Sequence, residues 1–359
     1  VGLLYSAFTY YLGFRVNSGE YKLMGLAPYG NPSENQTNEF ICLIKEHIVS
    51  IKGDGSIWLN QDYFNYATGL KMVKEKKWEK LFGFSVVRPD GKIDQKHCNL
   101  AYAIQNVTEE IVLKMAKNAK KVTGSDYLCM AGGVALNCVA NGKLVKENIF
   151  KDIFIQPASG DAGGALGAAQ IVHYMYYKQK RNATNGSDEM QGAYLGPDFS
   201  DKEAILSFKK HKAIYSKIDN FGDLCNKVAD LLDKGNVVGW FQDRMEYGPR
   251  ALGNRSILAD PRNTGMQKKL KLKIKYREGF RPFAPSVLSE SSKEFFDLNI
   301  ASPYMLLIAD VKKERRYAMP DNYLELDLWE KLYHKRSDVQ SITHLDFSAR
   351  IQTTHKETN

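Results

Sequence analysis

No run of about 18 consecutive apolar residues occurs in this 359-residue chain, so no transmembrane helix is expected and a membrane partner is disfavoured. A basic segment ahead of an apolar core is also missing. Arg15 and Lys22 follow the apolar start instead of preceding it, so no signal peptide is expected. Cysteine is scarce: Cys42, Cys98, Cys129, Cys138 and Cys225 are scattered, odd in number and form no CxxC pair. That excludes a zinc knuckle and a disulfide framework and points to reduced thiols in a cytoplasmic compartment. Internal repeats and low-complexity tracts are absent too. The chain opens at Val1, inside an apolar segment, and so reads as a fragment whose true beginning lies upstream.

What is present is ordinary for a globular protein: 43% apolar and 25% charged residues, on a chain long enough for two cores. The net charge of +9 suits phosphorylated small molecules or nucleic acid. Placement of the arginines separates these, because glycine-flanked arginines suit a pocket and exposed clusters suit a polyanion.

The most informative stretch runs from Cys129 to Ala169. An apolar strand enters Gly132-Gly133, a helix-like segment continues to Lys146, and a second strand, Ile153 to Ile155, follows. The chain then reads Ser159-Gly160-Asp161-Ala162-Gly163-Gly164 into another helix. Strand, glycine turn and helix, twice over, is the grammar of an α/β nucleotide site. Glycines let backbone approach phosphate, and fresh helix N-termini aim unpaired N–H groups at an anion. Asp161 suits a metal or a ribose hydroxyl. Two plainer readings stay open: glycine turns also serve close packing, and Asp161 could cap the helix beginning near Gly163.

Elsewhere, Leu3 to Phe14 predicts a buried helix, and Glu39 to Ile51 another. Leu100, Ile104, Val107, Ile111 and Met115 recur at helical spacing within 99–121, a stripe expected to be core. His97 stands where that helix should begin. The polar run 181–192 reads as a linker, dividing a first domain (1–180) from a second (193–359). In the second, Phe221 to Leu232 predicts a helix, Val237 to Phe241 a buried strand, Tyr304 to Ile308 a core strand, Leu324 to Lys335 a helix, and the stretch around Arg350 a strand.

The densest charged motif is Asp243-Arg244-Met245-Glu246-Tyr247-Gly248-Pro249-Arg250-Ala251-Leu252-Gly253-Asn254-Arg255. Lys275 and Arg281, the latter within Phe280-Arg281-Pro282-Phe283, add further cations. Arginine suits phosphate because its planar fork makes paired hydrogen bonds and stays charged. Gly248, Pro249 and Gly253 would pin such side chains in direction, which a solvated charged face does not need. The spacing favours a phosphate pocket.

GEYKLMGLAPYG, GGVALN, SGDAGGALGAA, YGPRALGNRSILADPR and KYREGFRPFAPSVL, in that order, resemble the O-carbamoyltransferase family, whose members modify antibiotics and nodulation factors. The resemblance implies an α/β fold: part of an actin/hexokinase-like domain similar to tRNA threonylcarbamoyl transferase, then a domain similar to threonylcarbamoyladenylate synthase. It implies that ATP and carbamoyl phosphate give carbamoyladenylate, whose carbamoyl group passes to a hydroxyl-bearing small-molecule acceptor. Arg250, Lys275, Arg281 and Arg350 match positions expected at the phosphates. Gly133 and Asn137, with Glu20 nearby, match the nucleotide motif, and Asp161 matches a carboxylate ligand of ferrous iron (Fe2+). The family's HHxxHA and NTSFN segments are not found, so the chain reads as truncated at both ends, with its metal site incomplete. Two competing expectations are a non-catalytic remnant that binds nucleotide or carbamoyl phosphate, and a nucleic-acid binder related to tRNA threonylcarbamoylation. The chain lacks an aromatic RNP motif, so nucleic acid is disfavoured.

Overall fold

In the computed structural model, which describes residues 1–89, 91–181, 188–270, 279–280 and 283–355, one 29-residue helix organises the first half. In chain order the first half holds α1 (Gly2–Tyr11), α2 (Glu20–Leu26), α3 (Asn35–Leu43), the hairpin β1 (Val49–Ile51) and β2 (Ile57–Leu59), α4 (Glu75–Phe82) and the long α5 (Gln95–Thr123). It closes with β3 (Tyr127–Met130), α6 (Cys138–Lys146), β4 (Asp152–Ile155) and α7 (Asp161–Gln170). The second half has α8 (Asp201–Lys210), α9 (Phe221–Asp233), β5 (Val238–Phe241), β6 (Arg255–Leu258), α10 (Met266–Leu270) and β7 (Ser286–Leu288). It ends with α11 (Ser292–Phe295), β8 (Leu307–Asp310), α12 (Leu328–Tyr333) and β9 (Ser348–Thr354). Helices mixed with small sheets are compatible with the expected α/β class.

α5 starts at Gln95, four residues before the expected Asn99, and puts His97 in its first turn. Asp94 and His97 form a reciprocal capping box, with the Asp94 N–H donating to His97 Nδ1 at 2.9 Å, and Gly124, at φ +66°, ends the helix. Its stripe of Leu100, Ile104, Val107 and Ile111 is fully buried against α1, α2 and an aromatic cluster that includes Phe8, Tyr11, Trp78 and Phe82. Met115 departs from the expectation. It is half-exposed, because the helix runs on past the core and its last turns face a cavity. The helix expected over Glu39 to Ile51 also stops early, since Val49 to Ile51 pairs with Ile57 to Leu59 as a hairpin.

β3 and β4 pair in parallel across the α6 crossover, Tyr127 opposite Asp152 and Met130 opposite Ile155. In the second half β9 is the central strand of an order β7-β9-β8, parallel to β7 and antiparallel to β8. The core strand expected at Tyr304 begins at Leu307, although Tyr304 to Leu306 are buried. β5 is not the buried strand expected. Among the described residues it pairs only with β6, and Phe241 is 52% exposed.

Residues 182–187 of the expected linker lie outside the described residues. From Asp188 the chain packs: Tyr304 Oη donates to its carboxylate at 2.6 and 2.7 Å, and Met190 and Ala193 are buried. They belong to a core that Ala135 and Ile155 share with Leu252 and Tyr304 to Leu307, so apolar contacts join the two halves. α6 seats directly on β8. Asn141 Nδ2 donates to the carbonyls of Ala135 (2.8 Å) and Leu306 (3.0 Å). A Cβ on Gly142 would come within 2.7 Å of the Ile308 carbonyl oxygen, so only glycine permits this approach.

Candidate functional site

The join encloses a cavity of about 1530 Å³ lined by both halves. Six of the eight expected site residues are described, and all six line it: Glu20, Gly133, Asn137, Asp161, Arg250 and Arg350. Lys275 and Arg281 lie outside the described residues. The carbonyl of Phe280, the residue before Arg281, accepts a hydrogen bond from Tyr29 Oη at 2.8 Å.

Glu20 opens α2. Its carboxylate accepts from Ser6 Oγ (2.7 Å), the Asn17 N–H (2.9 Å) and the Gly19 N–H (3.1 Å), which fixes a negative charge on the first-half wall. Opposite the end of β3, Gly132 takes φ +95° and Gly133 begins a 3-10 turn. A Cβ on either glycine would meet no atom within 4 Å. These glycines therefore do not serve close packing; the space beside them is open, as a ligand would need.

Asn137 is more committed. Its Oδ1 caps α6 by accepting from the Ala140 N–H at 3.1 Å and also accepts from Gln105 Nε2 at 3.2 Å, while its Nδ2 donates to Gln105 Oε1 at 3.1 Å. Both acceptor positions of the amide oxygen are thus occupied, so contact with a ligand falls to the second Nδ2 hydrogen or the backbone. Gln105, which sequence reasoning passed over inside the α5 stripe, anchors a buried network. It accepts from Tyr5 Oη at 2.7 Å and donates to Glu109 at 2.8 Å, and Glu109 is met by Lys143 Nζ at 2.6 Å.

Asp161 is the first residue of α7, whose N-cap is Gly160 without a side-chain cap bond. The capping alternative is therefore not the observed geometry, and the exposed carboxylate is left to line the cavity. One carboxylate fits an iron ion poorly. Among the described residues no group of three or more His, Cys, Asp or Glu could hold a metal. These residues do not make an iron site.

Across the cavity, Gly248 (φ +127°) and Gly253 (φ +124°) bracket the loop that carries Arg250. The loop is pressed onto the first-half turns: Tyr247 Oη donates to the Ala162 carbonyl, and Arg250 Nη2 to the Leu136 carbonyl at 3.3 Å. Gln352 Nε2, two residues beyond Arg350 on β9, donates to the Leu252 carbonyl at 2.7 Å, tying the two arginine-bearing segments together. Sequence reasoning also missed Glu246, whose side chain is fully buried. Burial works to raise its pKa, but hydrogen bonds from Leu252, Asn254 and Arg255 outweigh that and hold it below the usual carboxylate value. Its place inside the arginine motif was the only available signal. The cavity lining thus combines Arg250, Arg255 and Arg350 with the open glycine turns and with the carboxylates of Glu20 and Asp161. Such a lining can neutralise phosphate through its arginines and orient a polar group through its carboxylates.

Two family profiles match the chain. Residues 1–170 match the family profile described as carbamoyltransferase N-terminus, and residues 229–359 match carbamoyltransferase C-terminus. The chain is 53% identical over 361 residues to an uncharacterized protein of Synechocystis sp., covering 100% of the chain and 57% of that protein. It is 34% identical over 362 residues to nodulation protein NolO of Bradyrhizobium diazoefficiens, covering 100% and 58%. It is 28% identical over 263 residues to 3'-hydroxymethylcephem-O-carbamoyltransferase of Streptomyces clavuligerus, covering 73% and 43%. The chain spans about half the length of the curated relatives it matches.

Proposed function

The chain belongs to the carbamoyltransferase family, and on that premise we propose that it carries out ATP-dependent O-carbamoylation of a hydroxyl-bearing small molecule. In this reading the first half is part of an actin/hexokinase-like domain and the second resembles a threonylcarbamoyladenylate synthase. Water cleaves carbamoyl phosphate to carbamate and phosphate, and carbamate then attacks the α-phosphorus of ATP and expels pyrophosphate. Attack by the acceptor hydroxyl on the carbonyl carbon of carbamoyladenylate breaks the bond to AMP, and the hydroxyl proton passes to solvent.

Arg250 and Arg350, with Lys275 and Arg281, neutralise charge as phosphate and pyrophosphate leave. Glu20 orients the nucleoside, and the Gly132–Gly133 turn lets backbone approach its phosphate. Asp161 faces the acceptor side. No step is assigned to iron, since the described residues do not make a site for it. The relative named as a cephem O-carbamoyltransferase supports a hydroxyl acceptor.

One observation carries the reading: residues from both family segments, Glu20, Gly133, Asn137 and Asp161 with Arg250 and Arg350, line one cavity. The test is pyrophosphate release from ATP with and without carbamoyl phosphate. Release should require carbamoyl phosphate and disappear in Arg250→Ala. Release that ignores carbamoyl phosphate, or near wild-type release by Arg250→Ala, refutes the proposal.

A further inference from the structure

Arg255 begins β6, pairs across the hairpin with Phe241 and lines the cavity. Its side chain is 38% exposed, whereas the carboxylate beside it, on Glu246, is fully buried. Arg255 Nε donates to Glu246 Oε2 at 3.0 Å. The other oxygen of that carboxylate accepts the N–H groups of Leu252 (2.7 Å) and Asn254 (3.0 Å). Leu252 is itself fixed, its carbonyl accepting from Gln352 Nε2 at 2.7 Å and Tyr194 Oη at 2.9 Å. The carboxylate is therefore bound to the backbone of the loop that carries Arg250.

A guanidinium has five N–H donors in a rigid plane. Glu246 engages the one on Nε, and among the described residues this is the only side-chain hydrogen bond Arg255 makes. Four donors on the terminal nitrogens remain, held in one plane by an immobile buried partner, on a residue that faces the cavity. Pre-organised forks of this kind suit phosphate oxygens.

Resting on the reading that the cavity takes ATP and carbamoyl phosphate, we infer that Arg255 is a further anion-binding residue, aimed by Glu246 as its positioning residue. Arg255 meets the polyphosphate or departing pyrophosphate from the β5–β6 side of the cavity, while Arg250 meets it from the loop. The alternative is that Arg255 does no more than neutralise Glu246.

Titration calorimetry with ATP, and separately with inorganic pyrophosphate, on the intact chain distinguishes the two. Arg255→Gln should weaken pyrophosphate binding about 10- to 100-fold, the loss expected for one charge-assisted contact. Arg255→Lys keeps a cation beside Glu246 and so preserves the fold, but it removes the fork. It should weaken binding several-fold at an unchanged melting temperature. Glu246→Gln, which can still accept from the two backbone N–H groups, should weaken binding by a smaller factor than Arg255→Gln. Wild-type pyrophosphate affinity in folded Arg255→Gln or Arg255→Lys overturns the inference alone. A wild-type chain that binds neither ATP nor pyrophosphate overturns the functional reading and the inference with it.

Discussion

Replacing Asn137 by alanine removes three hydrogen bonds at the cavity wall. One is the cap of α6, through the Ala140 N–H, and such caps are worth about 1 kcal/mol. The other two join Asn137 to Gln105 at 3.1 and 3.2 Å, each worth about 0.5–1 kcal/mol net at that length. Gln105 keeps Tyr5 and Glu109 as partners, so neither of its groups is orphaned, and the buried Ala140 N–H that loses its acceptor is the cap loss already counted. The total is roughly 2–3 kcal/mol, or a fall in melting temperature of about 3–4 °C for a chain of this size. Asn137→Ser keeps a good cap and loses only the Gln105 bonds, so it should fall about midway. Differential scanning calorimetry of the three proteins checks the order. A serine variant as unstable as the alanine variant, or an alanine variant melting with the wild type, would refute the reasoning.

Two further outcomes follow from the join and from the cap of α5. Gly142→Ala should destabilise the protein and loosen the join, because its Cβ would press on the Ile308 backbone; limited proteolysis should cut between the halves faster, and wild-type resistance would count against the packing described. His97 has its pKa lowered by burial, and Lys96 adds to this while Asp94 opposes it. The native state therefore prefers the neutral ring, whose Nδ1 accepts from the Asp94 N–H. Stability from this group is complete above the unfolded value near 6.5 and falls as pH drops below it. His97→Gln keeps an N3 acceptor for the capping box but does not titrate. Its melting temperature should fall less than wild type between pH 7.5 and 5.5, and parallel curves would contradict the assignment.

Local signals made much of the fold legible. α5, β3, α6 and β4 announced themselves through apolar spacing and glycine turns, because each depends on neighbours a few residues away. Met115 and β5 escaped for one reason: periodicity reports which face is apolar, not whether another element covers it. The six described residues that motif wording put forward as site candidates line one cavity. What could not be read was how they are held. Gln105 meets Asn137 32 residues away, Arg250 meets Leu136 across 114 residues, and Gln352 meets Leu252 across 100. No local pattern encodes such pairs. Glu246 and Arg255 stood inside the motif, but only burial distinguishes a fixed carboxylate from a solvated one.

The central claim is that glycine turns of the first half and arginines of the second serve one adenylate site. A crystal structure with 5′-O-sulfamoyladenosine, in which an uncharged sulfamate stands in for the carbamoyl phosphate ester of the adenylate, tests it most directly. The account predicts the compound inside the cavity, with its ribose and sulfamate against the Gly132–Gly133 turn and the start of α7. Binding elsewhere on the surface, or an empty cavity at saturating compound, would contradict it.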